Sequence, residues 1–205
     1  EYLQLAARWS QEPCAVLCAL NNLAQYHVYC RGAGEGEDGD YRSQIIQGKK
    51  LWGTSPEGKN EQEEEERERE GIVEGLSYWE EAVQGFGNDT ETRLADDVDY
   101  AVAYAGMLSS YSQGLRRSDP TRAAELLASA LKAIDMHQHD LHARPMLGRI
   151  LSLIAYNNMA ASLAVTAEGL FRSSLDHLST NLPLANYDKR YLHERALTLG
   201  GYAVL

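Results

Sequence analysis

Apolar residues recur at intervals of three and four along almost the whole chain, and alternating β-branched runs are missing. That period predicts helices throughout. A helix is expected over Glu1–Ser10, with Tyr2, Leu5, Ala6 and Trp9 on one face. Pro13 suits the first turn of a second helix, where a proline gives up no hydrogen bond. That helix reads PCAVLCALNNLAQYHVYC and is expected to end near Gly32. A polar stretch follows as far as Glu70, holding only Tyr41, Ile45, Ile46, Leu51 and Trp52 to dock a short helix. The period then resumes. Helices are expected through the apolar segment to about Gly85, over Leu94–Gln113, Thr121–Met136, Leu147–Leu163 and Thr166–Leu178, and from Lys189 onwards.

Three of these helices share a finer pattern. Gly75, Trp79, Ala82 and Val83 are a small, a large, a small and an aliphatic residue at fixed spacing. Ala123, Leu127, Ala130 and Leu131 repeat it, and so do Ala167, Phe171, Ser174 and Leu175. Small residues at that spacing let two helices approach closely, and the large one fills the gap beside them. A helix pair alone cannot bury such a face, so neighbouring pairs are expected to stack.

With LNNLAQYH at Leu20–His27 and AEGLFRSSL at Ala167–Leu175, the chain resembles the tetratricopeptide repeat (TPR) family, in its kinesin-light-chain flavour. The resemblance covers about Ala15–Leu205, as three repeats and half of a fourth. It implies an all-α solenoid of antiparallel helix pairs forming one domain over residues 1–205, read as a fragment of a longer chain. Residues 33–70 would then be an acidic, glycine-rich insertion within the first repeat. Two positions depart from the pattern. Leu108 stands where a small residue is usual, unless Ala105 takes that role in a shifted frame, and Asn158 stands where an aromatic is usual.

Composition narrows the partners. The net charge of −11 repels phosphate backbones and anionic lipid, and no basic cluster with interleaved aromatics offsets it. Nucleic-acid binding and membrane insertion are therefore not expected, the latter because no apolar run approaches bilayer length. Three cysteines, Cys14, Cys18 and Cys30, are too few for a disulfide scaffold. They read as small core residues in a reducing, intracellular compartment, cytoplasmic or organellar.

The acidic run EQEEEERERE places Glu63 and Glu65 each four residues before an arginine, Arg67 and Arg69. That order supports a helix, so the run is expected to extend the helix ending near Gly85 at its N-terminal side. The histidines of DMHQHDLHARP (His137, His139, His142, with Asp135 and Asp140) lie in an expected turn and read as a solvated connection; no metal or other cofactor is expected. Asn88-Asp89-Thr90 is a glycosylation sequon that reads as a turn. No nucleophile elbow, phosphate loop or HExxH occurs, and the chain is not expected to be an enzyme.

The remaining place for function is the concave face that the first helices of TPR pairs line, where a peptide or partner protein binds. By resemblance its inward positions are Asn21, Gln25, Ser109, Arg149, Ser152 and Tyr156. Chaperone-tail clamps of this family need Lys and Asn where this chain has Asn21 and Gly106, which argues against that ligand. The alternative function is a structural or assembly-factor subunit of a larger complex.

Overall fold

A computed structural model describes residues 13–29, 73–84, 90–179 and 189–205. The expected helix at Glu1–Ser10, the insertion 33–70 with its acidic run, and Asn88-Asp89 of the sequon lie outside the described residues. Among the described residues every regular element is an α-helix, and the helices pack against one another. No described helix is long and apolar enough to cross a membrane. The chain divides into two compact units, Glu1–Phe86 and Gly87–Leu205.

In the first unit, α1 is Pro13–Tyr29 and α2 covers 73–84. Leu17, Leu20, Leu23 and Ala24 of α1 are buried, as are Gly75, Trp79 and Ala82 of α2. The helices approach closely at Gly75. A Cβ there would lie 2.8 Å from the Ala24 carbonyl oxygen and 2.5 Å from Val28 Cγ2, so no larger residue fits. One turn along α2, the Trp79 indole N–H donates to Asn21 Oδ1 of α1 at 3.0 Å. Cys14 is half-buried and Cys18 exposed, so neither is the core residue expected of it. Cys18 falls on the side of α1 away from Leu20 and Ala24, and Cys14 sits at the edge of the buried stripe, one turn before Leu17.

The second unit holds α3 (Thr90–Asp96), α4 (Val98–Leu115), α5 (Pro120–Asp135), α6 (Arg144–Ala160), α7 (Ala164–His177) and α8 (Lys189–Val204). α4 pairs with α5, and α6 with α7. α6 also touches α4 and α5, and α8 rests on both α6 and α7.

Two boundaries differ from the expected ones. The helix expected over Leu94–Gln113 is broken at Asp97, whose backbone is extended and whose carboxylate accepts the Tyr100 N–H at 3.0 Å. Aspartate at an N-cap satisfies a donor that the helix interior cannot, so it starts α4 afresh. The helix expected to reach Leu163 stops at Ala160. There Leu163 N–H bonds to the Asn158 carbonyl and Ser162 N–H to that of Met159, a Schellman cap. Its left-handed residue is Ser162, at φ 60°, where glycine is the usual signal.

The fine pattern of α2, α5 and α7 reappears as a repeated burial pattern. Gly75, Trp79 and Ala82 are buried and Val83 is half-buried. Ala123, Leu127 and Ala130 are buried and Leu131 half-buried; Ala167, Phe171 and Ser174 are buried and Leu175 half-buried. The partners of each leading small residue include a small residue on the preceding described helix. Gly75 meets Ala24, the Ala123 carbonyl accepts from Ser112 Oγ at 2.9 Å, and Ala167 clusters with Ala155. In the middle pair that role therefore falls to Ser112. Leu108 and Ala105 are both buried elsewhere along α4.

Candidate partner-binding residues

The six residues expected to line a concave face divide between the units. Asn21 and Gln25 lie on α1 and are half-buried. Asn21 spends its side-chain oxygen on Trp79.

The other four lie on α4 and α6, and two of them need correcting. Ser109 is fully buried and Ser152 nearly so, at 0% and 4% exposure, and neither offers surface to a partner. The reason is the direct contact of α4 with α6. Ser109 Oγ donates to the Ala105 carbonyl of its own turn and lies 4.0 Å from Met146 Sδ of α6. Gly106 is nearby, and a Cβ on it would come within 3.0 Å of Met146 Cε. Polar residues on this side of α4 therefore bond back to their own helix, as Ser110 also does to the Gly106 carbonyl.

Arg149 and Tyr156 keep partial exposure on α6. Both are turned towards α8. The Tyr156 hydroxyl donates to the Leu197 carbonyl at 3.1 Å, and its ring meets Phe171 edge to face at 5.3 Å. It lies so close to Gly201 that a Cβ there would collide with its hydroxyl. Arg149 acts on Glu194 of α8. Burial pushes the Glu194 carboxyl above the usual range, and the charges of Arg149 and His193 pull it back.

Sequence reasoning missed the polar groups that join three helices. Ser174 Oγ of α7 donates to the Gly148 carbonyl of α6 at 2.7 Å and lies 3.2 Å from Thr198 Oγ1 of α8. Its signal was available, since the equivalent residues Ala82 and Ala130 have no hydroxyl. A serine there needs a buried acceptor. Arg144, at the start of α6, donates from Nε to the His177 carbonyl and from Nη2 to that of Asp176, both at 3.1 Å. It thereby caps the C-terminus of α7 with a cation.

The histidine-rich connection is structural in part. His137 Nε2 lies 2.6 Å from the Leu94 carbonyl and ties the connection to α3, while Asp140 accepts the His142 N–H at 2.7 Å. Among the described residues no three His, Cys, Asp or Glu side chains are grouped to hold a metal ion.

His177 gives this region a pH dependence. Burial holds its imidazole below the ordinary value of 6.5; Arg144 and His139 push the same way, and Asp176 and Asp135 oppose them. Above pH 6.5 both the folded and unfolded chains hold the ring neutral, and no stability is lost. Below it the unfolded chain takes the proton first, so stability declines as pH falls towards the lowered folded value. Urea midpoints at pH 8 and pH 5 are expected to fall further in the native protein than in His177→Gln. Equal falls would remove His177 as the cause.

No protein-family model, curated protein or solved structure matches the chain.

Proposed function

We propose that the chain is a TPR-like solenoid acting as a non-enzymatic scaffold, which binds a protein or peptide partner on the side of its first helices. The observation that carries the reading is the burial pattern shared by α2, α5 and α7, with each leading small residue against a small residue of the preceding helix. Helices built to stack in this way leave an extended polar side for recognition. Within the second unit, that side of α6 offers Arg149 and the exposed part of Tyr156. These groups suit a partner held by hydrogen bonds and one guanidinium.

The test is affinity capture with the intact chain beside Arg149→Ala. A protein partner captured by the native chain and released by the variant, at unchanged melting temperature, supports the reading. Catalytic turnover without any stable protein partner would overturn it, as would capture that the substitution does not weaken.

A further inference from the structure

The last turn of α7 is a joint of the second unit. Arg144 at the start of α6 donates to the Asp176 and His177 carbonyls. The next residue, Leu178, is fully buried. A Cβ on Gly148 of α6 would meet its side chain at 2.6 Å, and it clusters with Tyr191 of α8. The Tyr191 hydroxyl in turn donates to the Leu141 carbonyl of the histidine-rich connection at 2.7 Å. One turn of helix therefore holds α6, α8 and the connection together.

His177 sits inside this joint. Its ring is half-buried, and its Nδ1 is wholly buried with no hydrogen-bond partner among the described residues. In the imidazolium both ring nitrogens carry a proton. Charging the ring thus puts a donor where no acceptor stands, which is costly in a buried place. A histidine at a helix C-terminus ordinarily gains from its proton. Here Arg144 already occupies the Asp176 and His177 carbonyls, and a second cation would have to share them. The charged groups that face the ring are Asp135 of α5, His139 of the connection, Arg144 of α6 and Asp176 of α7; among the described residues none comes from α8. The two carboxylates offset burial and Arg144 only in part.

We propose that His177 is an acid-sensitive latch: taking up a proton frees the last turn of α7 from Arg144 and loosens the joint that seats α8 on α6 and α7. The charged ring finds its hydration in water, and only an opened last turn carries it there. Leu178 then leaves Gly148, and Tyr191 loses the side chain it packs on. The latch is closed above pH 6.5, where the ring is neutral whether the turn is open or shut, and opens as pH falls towards the lowered folded value. The stability lost in acid is thereby concentrated at one end of α7 instead of spread over the unit. The device does not depend on which partner the chain holds, nor on the repeat reading.

Hydrogen exchange of the full chain at pH 8 and pH 5, corrected for the intrinsic rates, tests the latch. The Leu178 and Ser179 amides, which bond back to the Ser174 and Asp176 carbonyls, and the amides of α8 are expected to exchange several-fold faster at pH 5. Those of α4 and α5 should change less. His177→Gln should remove the difference, and His139→Gln should leave it in place. An NMR titration of the His177 ring in the native chain, which needs no variant, should give a midpoint below 6.5. A midpoint at or above 6.5 overturns the proposal. So does equal acceleration in α4 and α5, acceleration that survives in His177→Gln, or acceleration that His139→Gln abolishes.

Discussion

Trp79→Ala is expected to destabilise the first unit by about 3–5 kcal/mol, the range for emptying a buried aromatic site. Trp79 is fully buried and is the large residue of the α2 pattern. The closeness of α1 and α2 at Gly75 makes the loss hard to absorb. With Val28 Cγ2 and the Ala24 carbonyl already at the limit of approach there, the helices cannot slide together to fill the space. The indole also donates to Asn21 Oδ1. Two further variants separate the terms. Asn21→Ala removes that acceptor while keeping the ring, at about 1–3 kcal/mol for a buried donor deprived of it. Trp79→Phe with Asn21→Ala removes both partners and keeps most of the apolar area, so it should cost less than Trp79→Ala. Hydrogen exchange of the α1 amides is the readout, since it reports this unit by itself. Protection in Trp79→Ala within 1 kcal/mol of native would show that the tryptophan does not hold the pair together.

The small–large–small–aliphatic pattern was legible in the sequence because it depends on volume and spacing alone. Burial follows it at Gly75, Ala123 and Ala167 and at each large residue after them. The helix breaks were less legible. Asp97 is a good N-cap, but it sits inside an apolar period that continues on both sides, so the period hid the cap. Ser162 takes a left-handed conformation without the glycine that would mark it. The candidate site was read least well. The period tells which side of α4 is polar, but Ser109 and Ser110 satisfy their hydroxyls on carbonyls one turn back, and a serine that does so can be buried. Whether a polar side faces solvent or another helix depends on which helices touch, here α4 and α6, and a single helix does not encode that. Arg149 and Tyr156 kept some exposure for a different reason. Their long side chains reach α8 from the edge of α6, where Tyr156 meets the Leu197 carbonyl and Arg149 the charge of Glu194.

Phe171 is where the repeat pattern can be tested by exchange. It is fully buried, edge to face with Tyr156 and 6.2 Å from Tyr202, and it packs with Ala155 and Ala167. Phe171→Ala should cost about 3–5 kcal/mol by leaving a cavity among α6, α7 and α8. Leu127 holds the same place in α5, so Phe171→Leu installs the residue that the repeat already accepts. It keeps an apolar side chain and gives up mainly the ring pairing, at about 0.5–1.5 kcal/mol. The two variants should also differ in where they act. The ring lies close enough to α8 that a Cβ on Gly201 would come within 2.9 Å of Phe171 Cε1. Phe171→Ala therefore withdraws the support under α8, and amide exchange there should accelerate more than in α4 or α5. Denaturant titration gives the total loss, and exchange gives its location. If the leucine variant loses as much as the alanine variant, the site demands an aromatic ring, and the equivalence of Phe171 with Leu127 fails.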